Sequence, residues 1–197
     1  TAYLNGGQVP RGADFVRTIE ILADRAGVDS APLQRRAPRD RKAELLETFF
    51  ELARRELAGE RGTAAREYLE TRGLPAGAPV EWGLGLVPTD PSGALERAGF
   101  TAEEIATSGL VADRRWRGRI CGAWRSERGL IRTLWARTVD EEQGKSKYLY
   151  LRGAPRAGLP PYGLSDVLRV PLGDRGDLVL VEGLLDVHHL RARGVMN

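Results

Sequence analysis

The sequence predicts a mixed α/β (α+β) fold, and three patterns carry the prediction. Apolar residues in the first half recur at helical spacing, as in Leu46, Phe49, Phe50, Ala53 and Leu57. From Arg119 the period shortens to that of a strand, in RICGAW and LIRTLWART, with Arg128 and Gly129 marking the turn between them. Further on, Leu178, Val179, Leu180 and Val181 form a run of β-formers closed by Glu182, and an amphipathic segment follows Gly183. That succession predicts a buried strand of parallel type leading into a helix. Asp186 falls in the helix's first turn, where an acid suits the helix dipole and can converge with Glu182 on one divalent cation.

Taken in order, the chain predicts a turn-rich lead over 5–12 and a helix over 14–26, with Asp14 as its N-cap and Gly27 as its stop. Residues 28–40 hold two prolines, Arg35, Arg36 and Arg39 and almost nothing to bury, which predicts a basic linker and a domain boundary. Helices are predicted over 40–58 and 62–71, the second ending at Gly73. Residues 73–90 are rich in glycine and proline and predict irregular structure. Two short helices are expected over 91–108. The second carries a start signal, because Thr101 followed three residues later by Glu104 is a capping-box pattern. Residues 147–151 predict a third β segment, followed by a glycine- and proline-rich loop over 153–163 and a polar turn over 173–177.

Composition narrows the functional classes. The chain has 197 residues, 42% hydrophobic and 29% charged, as expected of a soluble globular protein with one good core or two small ones. No apolar stretch is long enough to span a bilayer and no signal-peptide pattern opens the chain, so a cytoplasmic location without membrane association is expected. The single cysteine, Cys121, excludes an internal disulfide and a cysteine-based zinc cluster within this chain. The start at Thr1 and the stop after a helix predict a fragment. Net charge is only +3, yet the segment from Arg114 to Arg137 carries eight arginines against one acid, Glu127. Lysines number only three in all, which points to a GC-rich coding bias that accounts for arginine in place of lysine. It does not account for the shortage of acids, which suits a polyanionic partner such as nucleic acid.

These blocks carry a resemblance. YLETRGL (68–74), WGLGLVP (82–88), LERAGFTAEEIATSGLV (95–111), WRGRI (116–120), LIRTLWAR (130–137), KYLYL (147–151), YGL (162–164) and VLVEGLLDV (179–187) follow one another as in the RNA-polymerase domain of bacterial-type, DnaG-like replicative primases. The last block resembles the start of the Toprim fold, a metal-binding α/β module shared with topoisomerases. DFVRTIEILADRAGV (14–28) is similar to the helix that closes the primase zinc-binding domain. The resemblance implies a terminal helix of an upstream zinc domain at 1–27, the linker at 28–40, the N-terminal subdomain of a primase core at 41–175 and the start of a Toprim subdomain at 176–197.

It also implies an activity, a nucleotidyltransferase that makes short RNA primers on single-stranded DNA in DNA replication. Glu182 and Asp186 match the family's Glu-Gly-x-x-Asp acids and would hold Mg2+ or Mn2+ with Asp pairs lying beyond Asn197, so the fragment alone is expected to be inactive. Zinc would belong only to the upstream domain. Arg119, Arg137 and Lys147 match basic residues facing the template and the growing hybrid, Arg117 lies in the same block, and Tyr148 matches the tyrosine beside the lysine. Arginines supply bidentate phosphate contacts, lysine a point charge, and an exposed tyrosine a stacking surface. Template, RNA primer, nucleotides and a replicative helicase are the implied partners. Two departures, Tyr150–Leu151–Arg152 for an Asn-Ser-Pro run and Gly122–Ala123–Trp124 for a Phe-Pro-Ile segment, imply a divergent branch.

Other features read as structural. His188 and His189 diverge by about 100° on a helix and do not share one ion readily, so one is expected packed and one exposed. Cys121, Trp124 and Trp135 are expected in the core. The rival readings are another Toprim enzyme, a nuclease or topoisomerase-like protein, and a noncatalytic single-stranded nucleic-acid-binding module.

Overall fold

A computed structural model describes residues 21–22, 25–27, 40–75, 77, 81, 83–140, 146–154, 157–170 and 177–195. The chain divides into two compact units, Thr1–Asp40 and Arg41–Asn197. In the first, residues 21, 22, 25 and 26 are helical, while the rest of the helix expected over 14–26 and the linker before Asp40 lie outside the described residues. The second unit carries the features that follow.

Helix α1, Arg41–Ala58, forms where the stripe predicted it, burying Leu45, Leu46, Phe49, Phe50, Ala53 and Leu57 along one side. Each of these leucine and phenylalanine side chains contributes roughly 1.5–3 kcal/mol when taken out of water. A 3-10 turn, Glu60–Gly62, leads into α2, Thr63–Thr71. The Arg66 guanidinium donates to the carbonyls of Leu57 and Gly59, meeting acceptors that the end of α1 leaves open. Two short helices follow, α3, Ser92–Arg97, and α4, Ala102–Thr107. The predicted capping box is complete: Glu104 N–H donates to Thr101 Oγ1 at 3.1 Å, and Thr101 N–H to Glu104 Oε2 at 2.7 Å. Arg41 joins α1 to this corner, with its Nε–H on Glu104 Oε1 at 2.8 Å and its guanidinium 4.4 Å from the Phe100 ring centroid.

Strands β1, Leu84–Leu86, β2, Ile120–Arg125, β3, Ile131–Arg137, and β4, Tyr148–Tyr150, make one antiparallel sheet in the order β1-β2-β3-β4. The β2–β3 hairpin is the predicted one, and Gly129 at φ +85° closes its turn. β1 is a correction, since 73–90 was expected to be irregular throughout. Its central Gly85 explains both the strand and the weak signal: a Cβ there would sit 2.8 Å from that of Ala53, so α1 crosses too closely for any side chain. One sheet face presents Cys121, Leu134 and Ala136 to α1, and the other presents Ile120, Trp124 and Trp135. Cys121 is buried as expected, and burial pushes its thiol well above the ordinary range.

Helix α5, Leu164–Val167, was not anticipated, whereas α6, Leu184–Arg191, forms as predicted. The strand expected at 178–181 does not form. Residues 177–181 are irregular, and Leu178 and Leu180 remain 56% and 75% exposed. A strand is held by its ladder, and among the described residues none of the four strands lies alongside this run. Among the described residues no helix is long and apolar enough to cross a membrane.

Candidate nucleic-acid interface

The pairing register gathers the residues singled out from sequence. Arg137 stands opposite Ile120 on one side and Tyr148 on the other. The beginning of β2, the end of β3 and the beginning of β4 therefore meet at one end of the sheet, bringing Arg117, Arg119, Arg137, Lys147 and Tyr148 into one neighbourhood. Arg128 lies at the opposite end, in the hairpin turn.

The eight arginines counted along the sequence are not eight surface charges. Arg125 makes a two-pronged pair with Glu47, both bonds 2.8 Å. Arg115 grips Asp113, with Nη2 to Oδ2 at 2.7 Å, and these bonds hold the Asp113 carboxyl down to about 2. Arg119 is 8% exposed, with Nε–H on the Arg115 carbonyl at 2.7 Å and Nη1–H on the Ser146 carbonyl at 2.9 Å. Burial lowers its pKa from the ordinary value. Arg137 is 5% exposed and donates from Nε to the Tyr68 hydroxyl at 3.0 Å and from Nη1 to the Tyr148 hydroxyl at 2.8 Å. Arg114, Arg117 and Lys147 face solvent, and among the described residues none of the three has a carboxylate at ion-pair distance. The exposed positive surface at this end thus comes from the turn at 114–117 and from Lys147. Arg119 and Arg137 lie beneath it.

Tyr148 is half-buried rather than exposed, edge-on to Trp135 with centroids 6.0 Å apart. Tyr68, on the apolar side of α2 and not among the residues singled out from sequence, holds Arg137. The signal available was chemical: a half-buried tyrosine in an apolar stripe needs a partner for its hydroxyl. The Arg72 guanidinium lies over the same ring, 5.3 Å from its centroid.

The acids lie on the same side of the sheet as Arg137, because α6 packs on Trp135, two residues before Arg137 on β3. Asp186 Oδ2 accepts the Gly183 N–H at 3.1 Å, and Glu182 is exposed just ahead of the helix. Behind them His188 is fully buried, its Nε2 2.9 Å from the Tyr162 hydroxyl. Burial, with Arg191 and His189 nearby, pushes its pKa down to about 3, so the ring is neutral. His189 is partly covered rather than exposed, with Asp186 at 3.7 Å. Among the described residues no three His, Cys, Asp or Glu side chains converge as metal ligands. Glu182 and Asp186 have the hard oxygen chemistry that magnesium prefers, but two carboxylates, one already capping a helix, do not make its site by themselves.

No family model matches the chain. It is 30% identical over 194 residues to the DNA primase of Deinococcus radiodurans, an alignment covering 91% of this chain and 33% of that one. It also resembles the crystal structure of a DNA primase domain from Pseudomonas aeruginosa, 27% identical with a TM-score of 0.62, over 79% of this chain and 52% of that one. The fold recurs in a DnaG primase catalytic domain bound to single-stranded DNA, 24% identical with a TM-score of 0.59, over 78% of this chain and 53% of that one. The chain spans about a third of the length of the curated relatives it matches.

Proposed function

We propose that this chain, most of whose length is covered by DnaG-type DNA primase homologues and by primase catalytic cores of the same fold, is the template-holding part of such an enzyme. In the intact protein the reaction is synthesis of short RNA primers on single-stranded DNA. The observation that carries the reading is the convergence at one sheet end of Arg114, Arg117 and Lys147, solvent-facing and with no described carboxylate beside them, within a chain that aligns with primases over nine-tenths of its length. Such a surface binds a polynucleotide through its phosphates, without reading sequence.

Glu182 and Asp186 extend the proposal as two oxygen ligands of Mg2+ or Mn2+, with further ligands required to complete the site. That ion would neutralise a nucleotide's phosphates when bound. This chain's own part is to present the two carboxylates: the Gly183 N–H fixes one Asp186 oxygen, and α6 is seated on Trp135 through His188. Single-stranded DNA, the primer and nucleotides are the proposed partners, and a replicative helicase is proposed as a further one.

Fluorescence anisotropy with a labelled single-stranded oligonucleotide tests the surface across a salt series. The logarithm of the apparent affinity falls linearly with the logarithm of salt concentration, with a slope of about −0.7 per phosphate neutralised; no binding at low salt, or binding indifferent to salt, rejects the assignment. In the longer protein, Glu182→Gln abolishes primer synthesis and leaves DNA binding in place. A longer protein that binds DNA and makes no primers at all would instead be a noncatalytic binding module.

A further inference from the structure

Arg119 has an arrangement that a phosphate contact does not explain. Its guanidinium is almost entirely covered, and every acceptor it meets is a main-chain carbonyl: Arg115 at 2.7 Å, Ser146 at 2.9 Å and, at 3.4 Å, Lys147. These acceptors come from two stretches of chain distant in sequence. One is the 3-10 turn Arg114–Trp116, which runs on to Arg117, and the other is the two residues that lead into β4. Those same stretches carry Arg117 and Lys147. A buried cation costs several kcal/mol in desolvation unless its donors are met. An apolar side chain of similar volume would fill the space without that cost but could not bridge the two stretches. A planar fork with donors on Nε and Nη1 can, whereas a lysine ammonium is a single point on a flexible stem.

We infer that Arg119 is a positioning residue of the polynucleotide surface: it clamps the 114–117 turn to the lead-in of β4, so that Arg117 and Lys147 present their charges to one strand. Because its acceptors are neutral carbonyls, the guanidinium keeps its charge and adds to the positive field above it, yet its geometric role is separate from that field. The inference rests on the reading of this surface as a polynucleotide-binding face.

The experiment measures affinity for a fluorescein-labelled oligothymidylate and native-state amide exchange in four backgrounds: wild type, Arg119→Lys, Arg117→Ala/Lys147→Ala, and all three changes combined. Arg119→Lys keeps the charge and loses the fork. It is expected to weaken binding about 5-fold in the wild-type background, the loss of roughly one net hydrogen bond's worth of order, and less than about 2-fold when Arg117 and Lys147 are already alanine. Exchange should quicken at 115–118 and 146–148 and stay unchanged in α1. Should the lysine variant prove poorly folded by circular dichroism, Arg119→Gln is read by amide exchange instead, because its lost charge weakens binding in either background: quickened exchange at 115–118 and 146–148 with α1 unchanged is expected, and wild-type exchange there overturns the clamp.

Wild-type affinity and exchange in Arg119→Lys would overturn the clamp, and so would an equal loss of affinity in both backgrounds, which is the mark of an independent contact. If Arg117→Ala/Lys147→Ala leaves binding unchanged, the surface assignment itself fails and the inference falls with it. That result is distinguishable because it appears in the double variant without any change at Arg119.

Discussion

The two faces of the sheet are built from different materials. Toward α1 the interface is hydrocarbon apart from the half-buried Arg125–Glu47 pair, with Phe49, Phe50, Leu134 and Ala136 buried against one another. The opposite face carries Trp124, Trp135, Tyr148, Tyr162, His188 and the Arg137 guanidinium. It also leaves Trp135 Nε1 and His188 Nδ1 buried with no hydrogen-bond partner among the described residues. A face made to hold the fold together has no use for buried polar atoms, which cost free energy when unmet. The second face gives up stability to hold charged and aromatic groups along the sheet, with Arg137 and Tyr148 at the end that carries the basic surface.

The contrast is sharpened by its largest expected effect. Phe49→Ala should cost about 3–5 kcal/mol of unfolding free energy, read by urea titration, because the α1 face cannot collapse around the void. A loss under about 1 kcal/mol would mean that this face is loosely packed after all. Gly122→Ala probes the other face by overfilling it: a Cβ there would lie 2.4 Å from the Trp135 indole, and roughly 1–3 kcal/mol should be lost as the ring is displaced. The same change should disturb the near-ultraviolet dichroism of the tryptophans, and unaltered spectra would place the indole elsewhere.

His188 gives a pH signature that the α1 face lacks. Its pKa falls from an ordinary 6.5 to about 3 on folding, so in that window the unfolded chain binds the proton and the folded one does not. Stability from this group is complete above pH 6.5 and is lost as pH falls toward 3, by up to about 1.4 kcal/mol per pH unit. The difference between wild type and His188→Gln across this range isolates it, and parallel pH profiles would show that the ring is not buried. The smallest effect on the fold belongs to Lys147→Ala. Its melting temperature should match wild type because the side chain is exposed, while the salt dependence of oligonucleotide binding should lose about 0.7 from its log–log slope. An unchanged slope would remove Lys147 from the surface.

The α1 face was legible from sequence because long periodic stripes and the β2–β3 hairpin depend on local pattern. Leu46 through Leu57 and Ile120 through Arg137 declare their own period, and the Thr101–Glu104 cap needs only three residues of context. β1 was not legible, since three residues around a glycine carry no period and exist as a strand only because α1 crosses there. The apolar run at 178–181 failed for the converse reason, its pattern being local and its partner not. At the candidate site, residue type was readable and burial was not. Arg119 and Arg137 look like Arg117 in the sequence, and only the register that puts Ile120, Arg137 and Tyr148 side by side draws them under the surface. Tyr68 was hidden because a tyrosine on an apolar stripe reads as core until its hydroxyl is accounted for.

The uncovered run from Leu178 to Val181 has a consequence in the test tube. Four consecutive β-formers with no ladder among the described residues can pair with the same stretch of another molecule, so concentration and ionic strength will govern how long this polypeptide stays monodisperse. High salt screens the net positive charge that keeps copies apart. The salt that best strips nucleic acid from the basic surface during purification is therefore also the condition in which sheet-to-sheet association should be fastest.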